Sequence, residues 1–269
     1  MQGDFGGRLR MVAVNLKSTN GTVMKELSGK RAFITGAARG IGAAIAIELA
    51  EKGADIAFSY VRSGDAAEEL AREIEGLGVK AFPIQADSAD PQAATRSVHE
   101  AARLLGGLDI LVNNAGVAFI CPLETMPLDQ IDQIIAVNIR AVILASQAAI
   151  TYLGEGGRII NIGSCLAERV AFESVTVYSM SKSSLLSFTR GLARELGPRG
   201  ITVNTVHPGP TDTDMNPADG DGADAMRAHS ALGRYGTGKD VAVAVAFIAS
   251  PSAKHITGTG LSVDGGVNA

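Results

Sequence analysis

An α/β fold, a doubly wound parallel sheet of about seven strands with helices on both faces, is predicted by three features of this 269-residue chain. Short apolar runs alternate with helical patterns from about residue 30 to the end. A glycine-rich turn follows directly on the first of those runs and opens a helix. The alternation is never interrupted, so one domain over 28–269 is expected rather than two.

Residues 1–27 mix glycine, polar and charged residues without a sustained period and read as an N-terminal extension, with Met24 an alternative start. The first strand is expected at 31–35 and the first helix at 41–52, ended by Gly53. A strand at 55–59, a helix at 65–77 backed by Gly78, and a strand at 80–85 follow. Pro91 starts the next helix, since proline suits a first helical turn. Then come a strand at 109–112, a long helix at 128–153, a strand at 158–162, a helix at 176–196 and a strand at 201–206. A helix at 239–249 and a strand at 261–263 complete the series. The stretch 209–237 breaks the rhythm: it is rich in Asp, Gly and Pro, and loops of that length are commonly lids. Its Asp212, Asp214 and Asn216 imitate a calcium loop, but Pro217 and Ala223 stand where glycine and glutamate are required.

Composition narrows the function classes. Apolar residues make up 46% of the chain, ample for a core, and the formal net charge is −4. That balance provides no bulk attraction for nucleic acid or anionic lipid. Two cysteines, Cys121 and Cys165, make no disulfide framework, and the four histidines are too dispersed for a short metal-ligand pair. The longest purely apolar run, 241–249, falls short of the roughly 20 residues of a membrane span, and no signal-peptide pattern opens the chain. A cytoplasmic protein without membrane, nucleic acid or metal partners is expected.

Chemistry gathers at a few positions. Gly36, Gly40 and Gly42 form a GxxxGxG spacing at the mouth of a helix, where free N–H groups and the helix dipole favour a pyrophosphate; an ordinary tight turn has the same composition. Tyr178 and Lys182 are four apart in a helical segment and share a face. The phenol is a candidate proton carrier, and a nearby ammonium lowers its pKa. Ser164 follows a strand at the end where such sheets bind ligands, although turns also use serine. Asn138 interrupts an apolar helical stretch and needs partners if buried.

Together, Thr35-Gly36-x-x-x-Gly40-x-Gly42, Asn113-Asn114-Ala115-Gly116, Asn138, Ser164, Tyr178-x-x-x-Lys182 and Pro208-Gly209 resemble the classical short-chain dehydrogenase/reductase family, close to its 3-oxoacyl carrier-protein reductase-like members. The resemblance covers about 28–269. It implies a Rossmann-like domain, a nicotinamide cofactor and a homotetramer packed through the helices at 128–153 and 176–196, with a weaker second contact near Asp264-Gly265-Gly266. It makes Tyr178 the general acid or base and Ser164 the donor to the substrate oxygen. Lys182 would lower the Tyr178 pKa and hold the nicotinamide ribose, and Asn138 would hold a relay water. Gly36, Arg39, Gly40, Ile41, Gly42, Asn113, Ala115, Gly116, Pro208 and Gly209 would line the cofactor. Asp87 would meet the adenine and Thr213 the carboxamide. Phe119, Cys165, Phe172, Met215 and Met226 would surround an apolar substrate.

NADP(H) is expected over NAD(H). Tyr60 stands where NAD-binding relatives place an acid, Asp55 begins its strand at the far end, and Arg39 and Arg62 offer guanidinium groups to a phosphate. Ser59 and Ser63 are expected to add hydroxyls. The implied function is NADPH-dependent reduction of a ketone or similar small carbonyl compound. The alternative is 3-oxoacyl-[acyl-carrier-protein] reduction, for which Arg199 matches one basic contact position while Leu144 occupies the other. A third class is a non-catalytic cofactor sensor.

Overall fold

The computed structural model describes residues 25–269, so the expected extension lies outside the described residues as far as residue 24. Leu27, assigned to that extension, is buried and donates its backbone N–H to the Lys52 carbonyl at 2.8 Å. Its apolar side chain is part of the core, so packing begins just before the expected boundary.

Strand β1 (Arg31–Ile34) buries Ala32, Phe33 and Ile34 completely. It pairs in parallel with β2 (Asp55–Tyr60) on one side and β4 (Ile110–Asn113) on the other. With β3 (Ala81–Gln85), β5 (Arg158–Ile162), β6 (Thr202–Pro208) and β7 (Gly260–Val263), all parallel, the sheet runs in the order β3-β2-β1-β4-β5-β6-β7. Seven parallel strands and an order that reverses beside β1 are the expected architecture. The inner strands are continuous apolar runs because helices cover both faces. Helices α1 (Gly40–Glu51), α2 (Gly64–Gly76) and, late in the chain, α8 (Gly238–Ala249) cover one face. The other takes α3 (Pro91–Leu105), α5 (Ala141–Ala149) and α6 (Thr176–Leu196).

The helix expected at 128–153 is a composite. Helix α4 (Leu128–Ile134) runs into a π-helical segment, Ile135–Arg140, and then into α5, which ends at Ala149. The wide turn contains Asn138, whose side chain bonds the backbone of Val117 in a neighbouring loop. A local i→i+5 pattern of this kind gathers at functional sites. Beyond Ala149, Arg199 donates to the carbonyls of Ile150 and Leu153 at 2.9 and 2.7 Å, capping the end. The run Leu128–Ala149 is long and apolar enough to cross a membrane by length and composition, and half of its most apolar window is buried inside the fold.

Between β6 and α8, the expected lid contains a short helix, α7 (Ala223–His229). Its base is closed by a bridge between Thr211 and Gly236, and Tyr235 donates to Asn216 Oδ1 at 3.2 Å. The loops at the carboxyl ends of the strands meet the lid around one cleft of about 650 Å³. In open α/β sheets this is the end, and the reversal of strand order the place, where ligands bind.

Candidate active site

The glycine turn is held from behind. Thr35 Oγ1 accepts the N–H groups of Asn114 and Ala115 at 3.0 Å each, and Asn114 Nδ2 donates to the carbonyls of Thr35 and Gly36 at 2.9 Å. Gly36 and Gly40 have φ of +64° and +59°, which L side chains rarely adopt. Gly42 is needed for space, because a Cβ there would lie 2.5 Å from Asn114 Nδ2. Arg39, the residue preceding α1, makes no capping bond with its side chain, and the first turn carries no acid. The N-terminus of α1 therefore presents uncommitted N–H groups beside the cleft, whose wall includes Gly36, Arg39, Gly40, Ile41 and Gly42.

Two expected cofactor contacts are corrected. Ser59 is buried and accepts the Gly36 N–H at 3.0 Å, so it braces the turn and does not face the cleft. Asn113 is also buried, donating to Asn161 at 2.8 Å and Ser146 at 3.1 Å; Asn114, Ala115 and Gly116 line the cleft in its place. Tyr60, Arg62, Ser63 and Asp87 lie along its wall, as do Pro208, Gly209 and Thr213. Asp55, at the far end of β2, accepts the Lys80 N–H. Arg39 pairs at 3.1 Å with Asp214 of the lid, both largely exposed.

Ser164, Tyr178 and Lys182 meet at the other end. Ser164 has extended backbone, and its Oγ accepts the Leu166 N–H at 3.2 Å, which leaves the hydroxyl hydrogen to donate elsewhere. Tyr178 and Lys182 project from the start of α6, with Nζ 6.0 Å from the phenol ring centre. Lys182 is buried and donates to the Ile162 carbonyl at 2.8 Å; burial lowers its pKa to about 8. Burial raises the Tyr178 pKa, with the Ser164 hydroxyl opposing it. The lowering expected from Lys182 is therefore corrected: the ammonium is turned toward Ile162, and burial of the poorly solvated phenol sets the direction.

Asn138 is fully committed on its amide. Oδ1 accepts the Val117 N–H, while Nδ2 donates to the Val117 carbonyl and to Ser181 Oγ, at 2.9 to 3.0 Å. It fixes the loop after β4, with one Oδ1 lone pair left over. A methyl on Gly116 would sit 3.3 Å from Lys182 Nζ and 3.5 Å from Asn138 Oδ1, so glycine keeps a space between the two.

Phe119, Cys165, Phe172, Met215 and Met226 all face the cleft. Burial raises the Cys165 pKa, so this thiol is a neutral wall rather than a nucleophile. Ile120, Leu166, Val175 and Val267 extend the apolar lining and were not legible in any motif. Val267 arrives from the C-terminal segment, anchored where Asn268 Nδ2 donates to the Cys165 carbonyl at 2.8 Å.

The family model described as enoyl-(acyl carrier protein) reductase matches residues 36–268. A crystal structure of a short-chain dehydrogenase from Burkholderia cenocepacia J2315 in complex with NADP superposes with a TM-score of 0.90 at 56% identity, covering 91% of this chain and 100% of that one. This chain belongs to the short-chain dehydrogenase/reductase family. Two further relatives of this chain show how far function spreads at similar distance. The cyclic-di-GMP-binding biofilm dispersal mediator protein of Escherichia coli K12 is 42% identical over 246 residues, 91% of this chain and all of that protein. An L-rhamnose 1-dehydrogenase (NAD(P)+) of Sphingomonas sp. SKA58 is 38% identical over 253 residues, 91% of this chain and 98% of its own length.

Proposed function

We propose that this short-chain oxidoreductase uses NADP(H) to reduce uncharged, apolar carbonyl compounds, and oxidises the corresponding alcohols in reverse. One observation carries the reading: Ser164, Tyr178 and Lys182 converge at one end of a cleft whose other end combines the glycine turn with two arginines. The residues present suit the cofactor. The turn admits a pyrophosphate, no carboxylate closes β2 against a 2′-phosphate, and two of the three Lys182 N–H groups are uncommitted among the described residues. NADPH, when bound, supplies the hydride.

In this reading Ser164 donates to the carbonyl oxygen, where negative charge grows. Tyr178 is protonated at neutral pH, consistent with its raised pKa, and delivers its proton to the same oxygen. Lys182 holds the nicotinamide ribose and supports proton return to Tyr178, and Asn138 holds the loop that carries Gly116 beside it. Substrate polarity follows from the lining: Cys165, Leu166, Val175 and Phe172 pack around Tyr178, and Phe119, Met215 and Met226 line the same cleft, while Arg39, Arg62 and Asp87 are assigned to the adenosine. The test is NADPH consumption by purified protein over a panel of aryl and alkyl ketones. Absence of turnover on every member would overturn the reading in favour of a ligand-binding role like that of the Escherichia coli relative.

The carrier-protein reading ranks second. Arg199, its one matched basic residue, is engaged in capping Ile150 and Leu153, and Leu144 offers no charge. The lid also adds exposed Asp219 and Asp221, which repel an acidic partner.

Cofactor choice is separately testable. Arg39→Ala is expected to lower kcat/KM for NADPH roughly tenfold, about 1.5 kcal/mol for one charge-assisted contact, and to leave NADH little changed. Equal loss with both cofactors would remove Arg39 from phosphate recognition. A homotetramer in the cytoplasm completes the proposal. Leu128, Ile135, Ile143 and Met180 are exposed on the α4–α5 and α6 surface, large apolar side chains that a second subunit would cover. Light scattering at micromolar concentration is expected to give four times the chain mass, and a monomer would refute it.

A further inference from the structure

His207 lies in β6, one residue before Pro208, and is 1% exposed. Its Nδ1 is 3.0 Å from the Ser164 carbonyl oxygen and 3.3 Å from the Ser164 nitrogen. Burial lowers its pKa, so the ring is neutral at physiological pH. Nε2 has no partner. In one tautomer Nδ1 donates to the Ser164 carbonyl and in the other it accepts the Ser164 N–H, so either way Nδ1 makes one hydrogen bond to Ser164.

The neighbouring strands are cut to fit this ring. A Cβ on Gly163 would collide with Nδ1, and a Cβ on Gly260 would lie 2.6 Å from Nε2. Neither glycine has a positive φ, so their lack of a side chain gives room and not conformational freedom. Gly163 immediately precedes Ser164, and Gly260 opens β7. The ring therefore bridges β6 to the Ser164 peptide from a slot between two glycines. It does not reach the cleft itself.

We infer that His207 is a positioning residue for the reaction: its Nδ1 fixes Ser164 by a hydrogen bond to the backbone and so aims the Ser164 hydroxyl at the substrate oxygen. The inference rests on the reading of Ser164 given above. A displacement on the order of 1 Å in such a group costs up to about 10²-fold in rate. The side-chain atom that matters is at the δ position, which separates the variants by geometry. Asparagine places its amide, donor or acceptor, at the position of Nδ1, glutamine places it one atom further out, and leucine has none.

The experiment measures kcat and KM for NADPH and for phenanthrenequinone, an uncharged activated diketone, with melting temperature as a control. His207→Leu and His207→Gln are expected to lower kcat at least tenfold with KM for NADPH within about twofold of wild type. His207→Asn is expected to return kcat to within about threefold. A wild-type kcat in both the Leu and Gln variants, or an equal loss in the Asn variant, overturns the inference. Should the Leu variant fail to fold, the Gln and Asn pair decides alone. Ser164→Ala is assayed beside them. Loss there with no loss in the His207 variants defeats only the positioning role. Full turnover in Ser164→Ala, or no turnover of the quinone by wild type, defeats the reading of Ser164 and this inference with it.

Discussion

Tyr178→Phe is expected to lower turnover by roughly 10² to 10⁴-fold while NADPH affinity stays within a few-fold of wild type. The substitution removes one oxygen and keeps the ring, so the packing of Tyr178 near Cys165, Val175 and Phe172 is preserved. What disappears is the proton delivered to the carbonyl oxygen. Ser164 still donates a hydrogen bond there but has no comparable acidity, so the residual rate reflects oxyanion stabilisation without proton transfer. The raised Tyr178 pKa keeps the phenol protonated at neutral pH, and makes the reverse reaction, which needs a phenolate, the alkaline direction. Fluorescence titration with NADPH and steady-state kinetics in both directions check this. Wild-type turnover in the Phe variant would sink the acid assignment, and lost NADPH binding would make Tyr178 a cofactor residue first.

Most of the fold and the placing of the candidate residues Tyr178 and Lys182 on one face were legible in the sequence because they depend on local pattern. Strands such as Ala32-Phe33-Ile34 are apolar throughout since both faces are covered, and that run alone marks them. Tyr178 and Lys182 share a helix face by spacing. The misses share a different cause, that tertiary contacts decide them. Ser59 and Tyr60 are adjacent in a strand and point to opposite faces, so only one of them lines the cleft; Ser59 turns to brace Gly36. Asn113 and Asn114 divide in the same way between a buried polar network and the cleft. The π turn at Ile135–Arg140 contains Asn138, whose bonds run to Val117, 21 residues away. Val267 reaches the pocket through the hydrogen bond of Asn268 to Cys165, a contact that no periodicity announces. His207 carries no motif of its own, and the two glycines whose space it fills, Gly163 and Gly260, meet it only through tertiary contact.

Lys182→Met is expected to give two effects of opposite sign, lower turnover and a higher melting temperature of the cofactor-free protein at pH 7. Lys182 is a buried ammonium with a single hydrogen bond, to Ile162, and no carboxylate against it among the described ion pairs. Its pKa is lowered from 10.5 to about 8 by burial. The folded state therefore binds fewer protons than the unfolded chain between pH 8 and 10.5. Stability of the wild type rises with pH across that window and lacks this contribution below pH 8. The shift corresponds to ~3 kcal/mol, an order of magnitude for a buried cation held at neutral pH. Methionine has similar length and no charge, and replacing a buried charge with a packed apolar group commonly stabilises by about 1–4 kcal/mol. At about 2–4 °C per kcal/mol for a domain of this size, the melting temperature at pH 7 rises by several degrees. The advantage shrinks as pH climbs from 8 toward 10.5, because the wild-type lysine then loses its charge. Turnover falls by up to about 10²-fold, since a unit charge 6.0 Å from the phenol ring centre is worth at most ~3 kcal/mol at an effective dielectric of 20. Melting curves from pH 6 to 10 beside ketone reduction rates read both effects. A variant less stable than wild type at pH 7, with turnover intact, would make Lys182 a structural residue and remove it from the chemistry.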